Sequence, residues 1–279
     1  MKKILVPTDF SECATNASEY AIKLAKLGNV EVIFLHIMAI PIDWIHLNHN
    51  QEKLYPDITK KVHKTQSKLN EWTEKAEKQG VVAHSYLHYN ENHQDIIKSA
   101  QDNDCDLIVM GYQGIDSFSD LFVGSNTLRV VRISEIPVLV INKPIQKVKN
   151  VAFISTFESE YYVLRGYIAD FIELTNYKLH LVYINTPLSF LDSGTVQNRI
   201  AKFKKNLELT AKSSIHNDYA FETGINNFCE RNNIDLVITA THHKTGINRF
   251  VSGSLTENMI HQLYVPVLGI PLLENQIEN

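Results

Sequence analysis

The chain has 279 residues, a length that suits two domains of about 140 residues each, although one large domain is also consistent with it. A net charge of −4 and a 44% content of hydrophobic residues are typical of an ordinary globular protein, and they argue against a nucleic-acid-binding surface. The three cysteines, Cys13, Cys105 and Cys229, have no CxxC spacing and fit reduced thiols better than a disulfide framework. The start MKKILVPTDF is typical of a strand rather than a signal peptide, and no apolar run approaches the ~18 residues of a membrane helix. We therefore expect a cytoplasmic protein without membrane contact.

The first 142 residues, here called the first half, alternate short apolar strands with helices. Ile4 to Val6 form a strand that Pro7 ends, and Ser11 begins a helix that Gly28 stops. The other elements predicted for this half are a strand at 30–37, a long polar helix at 51–78, a strand at 81–87, a helix at 93–101, a strand at 107–110, a helix at 125–133 and a strand at 137–141. Five strands alternating with helices predict an α/β fold with a parallel, doubly wound sheet.

Residues 150–279, the second half, repeat this order after a linker at 143–149. The elements predicted for the second half are a strand at 151–155, a helix at 159–174, a strand at 179–184, helices at 200–212 and 224–231, a strand at 236–239, a helix at 254–263 and a strand at 266–270. Asp106 and Pro137 match Asp235 and Pro266 at an offset of 129, whereas the first strands differ by 147. We infer a tandem duplication whose second copy is shortened by about 18 residues, assigned to the long helix and the third strand.

The stretch MGYQGIDSFSDLFVGSN at 110–126 carries three glycines beside a predicted strand end. Ligands of open parallel sheets bind beyond the carboxyl ends of the strands. Gly111 and Gly114 can take positive φ and bring N–H groups close to a ligand, and Gly124-Ser125 begins a helix whose amino end favours an anion. Asp9, after the first strand, can accept a hydrogen bond from a nucleoside. The alternative for each glycine is a turn or a helix cap without a ligand.

The segment ILVPTDFS at 4–11, the glycine spacing of 110–126 and the ending IPVLVI resemble the universal stress proteins of the UspA type. The resemblance covers the chain as two copies. It implies two Rossmann-like, five-stranded sheets of strand order 3-2-1-4-5 and an ATP-binding motif G-2x-G-9x-G-(S/T). The implied ligand is ATP or AMP, with a divalent ion such as Mg²⁺. The implied function is that of a stress-response or regulatory module.

The family pattern also assigns roles to individual residues of the first half. The adenine would contact Asp9 and the backbone of Ile37, and Pro7 and Thr8 would line one side of the adenine pocket. The groups around the ribose and phosphates would be Met110, Gly111, Gln113 and Gly114. The phosphates would be held by Gly124, Ser125 and Asn126. The family also pairs through its last strand, which implies an internal pseudo-dimer through 137–141 and 266–270, with a homodimer of the chain as a further option.

The second half departs from this pattern. Thr156 takes the place of Asp9, Ala240 that of Gly111 and His243 that of Gly114, and only Gly253-Ser254 is kept. A β-carbon at both former glycines hinders close backbone approach, so we expect no ATP site of the family type there. The THHK segment at 241–244 either attracts anions or is an exposed loop.

Other patterns in the sequence favour different sites only weakly. Neither a Walker sequence, nor GxGxxG after a first strand, nor GxSxG occurs. Asp43, His46 and His49 have a metal-like spacing, but a solvated segment explains them better. The helix at 51–78 fits a solvated face or a lid over the site better than a partner-binding surface.

Three functions follow for the whole chain. The first is a nucleotide-binding stress or regulatory module. The second is an enzyme of slow ATP hydrolysis or nucleotidyl transfer, for which only Asp116 and Asp120 lie close to the glycine stretch. The third is a protein-interaction scaffold with an empty site.

Overall fold

The computed structural model describes residues 1–40, 44–90, 93–112, 123–145, 147–205, 207, 209–242 and 249–272. These residues form ten strands: β1 (Lys3–Pro7), β2 (Glu31–Met38), β3 (Ala83–Tyr89), β4 (Leu107–Gly111), β5 (Val138–Ile141), β6 (Asn150–Ile154), β7 (Lys178–Asn185), β8 (Ala211–Asn217), β9 (Leu236–His242) and β10 (Val267–Leu272). The helices are α1 (Glu12–Gly28), α2 (His49–Glu52), α3 (Pro56–Glu77), α4 (His93–Asp102), α5 (Val123–Ile133), α6 (Arg165–Thr175), α7 (Ser193–Lys205), α8 (Phe221–Asn232) and α9 (Arg249–Gln262). Short 3₁₀ helices span Trp44–His46, Ser159–Leu164 and Pro187–Ser189.

Each half builds the strand order 3-2-1-4-5 from parallel pairs, as predicted. The two five-stranded sheets join into one sheet of order β3-β2-β1-β4-β5-β10-β9-β6-β7-β8. The join is an antiparallel pairing of β5 with β10, in which Leu139 lies opposite Leu268. Central strands are apolar without interruption because helices cover both of their faces; Ile4, Leu5 and Val6 of β1 are all fully buried.

Two hydrophobic cores lie on the two faces of the sheet, and each runs through both halves. One face is covered by α1 and α3 of the first half and by α6 and α7 of the second. The other face is covered by α4 and α5 and by α8 and α9. No helix within the described ranges combines the length and the apolar character needed to span a bilayer.

The two ends of helix α1 are determined differently, one by a local capping hydrogen bond and the other by packing against α6. The Ser11 hydroxyl accepts a hydrogen bond from Ala14 N at 3.2 Å and caps the helix, as expected. At the other end Asn29, not Gly28, takes the left-handed conformation, with φ of 51°. A β-carbon at Gly28 would lie 2.0 Å from Leu174 Cδ1 of α6. Gly28 therefore serves the close packing of α1 against the second half.

The expectation that the missing residues of the second half come partly from its third strand is wrong. β8 is present and pairs in parallel with β7 from Ala211 to Asn217. The shortening lies entirely between β7 and β8, where the 13-residue α7 replaces the 22-residue α3 and the short α2. The prediction failed because β8 is an edge strand of sequence AKSSIHN, with little apolar alternation to reveal it.

Three predicted helices also differ in their bounds or type. The helix expected at 200–212 ends at Lys205. The one expected at 51–78 is interrupted, since Pro56 is the first residue of α3 and follows a separate α2. The one expected at 159–174 begins as a 3₁₀ helix and becomes α-helical at Arg165.

Candidate functional site

The carboxyl ends of β1, β2 and β4 lie side by side, because β1 is flanked by β2 and β4. This arrangement brings Pro7, Thr8 and Asp9 next to Ile37 and next to Met110 and Gly111. The last hydrogen bond of the β1–β2 ladder runs from Thr8 N to Leu35 O, at 2.8 Å. Backbone groups two residues apart in a strand point to the same side. The N–H and C=O of Ile37 therefore point past the end of β1, into the space beyond it.

The turn after β1 is held by its own side chains. The Thr8 hydroxyl is buried and accepts from Phe10 N at 2.9 Å, and Asp9 Oδ1 accepts from Ser11 N at 2.9 Å. Phe10 takes a left-handed conformation with φ of 64°. Asp9 itself is exposed, and within the described part of the chain its Oδ2 has no hydrogen-bond partner. One carboxylate oxygen at this edge is thus left to accept a hydrogen bond from a ligand.

The sequence analysis did not predict a role in the site for His36. Its Nδ1 donates to the Thr8 carbonyl at 2.6 Å, so Nε2 is left as an acceptor when the ring is neutral. Burial lowers the pKa of His36, and the hydrogen bond to Thr8 opposes this only in part. The ring lies 4.8 Å from that of Phe10, which also contacts Trp72 edge-on at 5.6 Å. A polar histidine within the apolar run of β2 was the available signal.

Gly111 has a packing role that the sequence did not predict. It does not have a positive φ. A β-carbon there would lie 2.4 Å from the carbonyl carbon of Cys13 and 2.7 Å from Ala14 N. The glycine therefore lets the first turn of α1 pack against the end of β4. Its carbonyl accepts from the Thr127 hydroxyl at 2.9 Å, which ties the strand end to the start of α5.

The remaining predicted residues belong to the segment between β4 and α5. Gln113 and Gly114 lie outside the described residues, as do Asp116 and Asp120. Gly124, Ser125 and Asn126 lie in the first turn of α5, which begins two residues before the predicted start. The amino end of this helix carries unpaired N–H groups and a partial positive charge, which suits an anion.

Tyr112, at the end of β4, and Arg132, in the last turn of α5, each make a polar contact with the second half, and neither contact was predicted. The Tyr112 hydroxyl hydrogen-bonds His261 Nδ1 on α9. Arg132 of α5 pairs with Glu257 of α9 through two hydrogen bonds, Nε to Oε1 at 2.6 Å and Nη2 to Oε2 at 2.8 Å. The end of β4 and the end of α5 are therefore both tied to α9 of the second half.

In the second half, the turn after β6 has the same conformation as the turn after β1, but its side chains differ. The Ser155 hydroxyl accepts from Phe157 N at 3.0 Å, and Phe157 has φ of 54°, as in the turn at Phe10. Thr156 stands where the first half has Asp9. Arg199 donates to Glu158 at 2.9 Å and so neutralises a carboxylate that the Thr156 hydroxyl also contacts. The predicted His243 lies outside the described residues.

Metal and thiol chemistry gain no support from the described residues. Across the described ranges, no group of three or more His, Cys, Asp or Glu side chains could hold a metal ion. Of the three residues with a metal-like spacing, Asp43 lies outside these ranges, and His49 Nδ1 is 3.5 Å from Glu52. Burial raises the pKa of Cys105 to about 11 and of Cys229 to about 12, so both stay protonated and weakly nucleophilic.

Comparisons with known proteins agree with this fold. The model of the universal stress protein family matches residues 1–142 and 166–271. The universal stress protein Slr1230 of Synechocystis is 26% identical over 293 residues, covering 96% of this chain and 99% of that protein. MJ0577 of Methanocaldococcus jannaschii is 29% identical over 154 residues, covering 51% of this chain and 95% of that protein. The crystal structure of a universal stress protein from Archaeoglobus fulgidus superposes with a TM-score of 0.73 at 18% identity, covering 97% of this chain and 98% of that one. Since the two family matches together span most of the sequence, the chain belongs to the universal stress protein family as a tandem of two copies.

Proposed function

We propose that the first half binds an adenine nucleotide, ATP or AMP, and that the protein acts as a stress-response or regulatory module. The observation that supports this best is the convergence of three strand ends with the amino end of α5 at one edge of the sheet. One side of that edge offers hydrogen-bonding groups suited to a base, and the other offers a helix dipole suited to phosphates.

The adenine would bond to Asp9 and to the free backbone groups of Ile37. The exposed carboxylate oxygen of Asp9 can accept from an amino or hydroxyl group. The aromatic cluster of Phe10, His36 and Trp72 stands beside this position and joins the turn after β1 to β2 and α3. Because burial disfavours the charged form of His36, this cluster stays neutral.

The phosphates would lie at the amino end of α5, near Gly124, Ser125 and Asn126, with Gln113 and Gly114 along the ribose and phosphates. Mg²⁺ prefers oxygen ligands and keeps several waters. The residues of α5, VGSNTLRVVRI, include no carboxylate. Helix α5 therefore offers no carboxylate ligand, and an Mg²⁺ ion at its amino end would be bound through phosphate oxygens and would neutralise phosphate charge.

We also propose that the two halves work as an internal pseudo-dimer. The antiparallel pairing of β5 with β10 and the Arg132–Glu257 ion pair support this. The same contacts make the full chain, rather than a separated half, the suitable subject of any binding experiment.

Native mass spectrometry of the purified full chain tests the nucleotide proposal. We expect ATP or AMP to be retained by the wild type and lost in Asp9→Ala and Gly114→Val. Thr156→Ala, the counterpart of Asp9→Ala in the second half, is the matched control and should retain the nucleotide. Conversion of added ATP to ADP would favour the slow enzyme instead, and a protein that never retains nucleotide would favour the scaffold.

A further inference from the structure

A cavity with a lining from both halves lies where β4 and β5 begin, at the edge of the sheet opposite the candidate nucleotide site. Its volume is about 230 Å³, and residues of α6 line one side of it. The apolar part of the lining includes Leu107, Phe171, Leu268 and Ile270, each at most 2% exposed. Since a water molecule takes about 30 Å³ in the liquid, the space is large enough for an apolar side chain.

The internal repeat shows which part of the molecule corresponds to this cavity. The helices α1 and α6 align at an offset of 147, as do the strands that precede and follow them. Asp170 of α6, which lines the cavity, therefore corresponds to Lys23 of α1. From β4 onward the offset is 129, so Asp106 in the lining corresponds to Asp235.

On the side of α1, the linker covers the corresponding place. Lys23 Nζ donates to Ile145 O at 2.8 Å, and Lys149 N donates to Asp235 Oδ2 at 2.8 Å. The Ile145 side chain packs against the core on this face of the sheet. The place that forms a cavity beside α6 is therefore covered by a stretch of chain beside α1.

Strand β10 leads the chain to the cavity. Because β10 is antiparallel to β5, with Gly269 opposite Val138, its end at Leu272 lies beside the start of β5, where the cavity is. Residues 273–279, the terminal segment, follow directly and lie outside the described residues. The offset of 129 aligns the terminal segment with the linker. Seven extended residues span up to about 23 Å, so the cavity is within reach.

The charges around the cavity limit how the terminal segment can bind. Asp106, Glu135 and Asp170 line the cavity and are exposed, and the segment LENQIEN has two carboxylates of its own. Like charges repel, and a carboxylate is costly to bury, so both sets of carboxylates stay in water. The contact is left to apolar side chains. Of these, Leu273 directly follows β10, and Ile277 is the one with enough preceding chain to fold back.

We propose that the terminal segment docks into this cavity, with the side chain of Ile277 against Phe171 and Leu268. The segment would then close the join between the halves beside α6, as the linker closes it beside α1. This contact is independent of the nucleotide proposed for the first half.

Labelling of the native cysteines with iodoacetamide, read out by peptide mass spectrometry, tests the proposal. Cys105 lines the cavity and is 7% exposed, whereas Cys229 of α8 is 6% exposed and serves as the internal control. In a chain that ends after Leu272, and in Ile277→Asp, we expect Cys105 labelling to rise roughly tenfold relative to Cys229, because burial of an isoleucine side chain is lost. Asn279→Asp adds the same charge at a polar position and should label like the wild type.

Two results would overturn the proposal. One is equal labelling of Cys105 in the full and the shortened chain, and the other is wild-type labelling of Cys105 in Ile277→Asp. If labelling of both cysteines rises in the shortened chain, that chain is unfolding as a whole, and Ile277→Asp decides the question alone. Retention of nucleotide is measured separately, so failure of either proposal leaves the other intact.

Discussion

The hydroxyl of Tyr112 in the first half hydrogen-bonds Nδ1 of His261 in the second. Tyr112 directly follows Gly111 and is 3% exposed, and its N–H donates to Ile141 O at 2.9 Å. The residue that leads into the glycine segment is thus fixed both to the neighbouring strand β5 and to helix α9. The second half therefore helps to hold the end of β4 in place.

We expect Tyr112→Phe to lower the free energy of unfolding by about 1 kcal/mol, since a part-buried hydrogen bond is lost and the ring is kept. Chemical denaturation of the full chain measures this. Tyr264→Phe, at a tyrosine that is 77% exposed, is the matched control and should leave stability unchanged. Equal stability of Tyr112→Phe and wild type would show that the bond contributes nothing.

Gly111→Ala should destabilise the protein by about 1–3 kcal/mol, because the new β-carbon would overlap the backbone of Cys13 and force α1 away from β4. Displacement of α1 should also move Asp9 and abolish nucleotide retention. Gly166→Ala is the control, since a β-carbon there meets nothing within 4 Å. As Gly166 lies in α6, that change should raise stability by up to about 1 kcal/mol. A Gly111→Ala protein as stable as wild type would refute the packing role.

Gly28→Ala should destabilise the contact between α1 and α6, because its β-carbon would overlap Leu174 Cδ1. A double-mutant cycle separates this clash from the loss of a helix-terminal glycine. In a Leu174→Ala background the same change should cost less, by about 1 kcal/mol. Equal costs in the two backgrounds would mean that the two residues do not interact.

Stability should fall as the pH falls through about 6.5, the pKa of a histidine in an unfolded chain. Burial lowers the pKa of both His36 and His180 in the folded protein. The unfolded state therefore binds protons first, and the stability present above about pH 7 is lost progressively until the folded-state pKa is reached. Denaturant titrations at a series of pH values measure the slope.

His36→Asn identifies the source of that slope. Asparagine can still donate to the Thr8 carbonyl but does not titrate. We expect a shallower decline than in the wild type, with the remainder due to His180. An unchanged slope would mean that His36 does not contribute.

The elements of the fold that could be predicted from the sequence are those with a local pattern of apolar residues. The apolar runs of β1 and β4 and the 3.6-residue period of α1 predict their elements directly, and the repeat predicts the shared strand order of the halves. The role of Gly111 could not be inferred, because it depends on Cys13, which is remote in sequence. The Tyr112–His261 bond likewise joins residues 149 positions apart. The turn at Thr8–Phe10 was predictable as a turn, but the contact of its carbonyl with His36 was not.

The join between β5 and β10 has a consequence for the whole molecule in the cell. Two separate five-stranded sheets would expose four edge strands, and each exposed edge is a template for aggregation with other chains. Of the strands described, only β3 and β8 lie at an edge. Their sequences, AHSYLHY and AKSSIHN, carry histidine, serine and lysine where central strands carry valine and isoleucine. Because β8 is polar, its sequence lacks the apolar pattern that would have predicted a strand. The same polarity disfavours pairing of β8 with a strand of another chain.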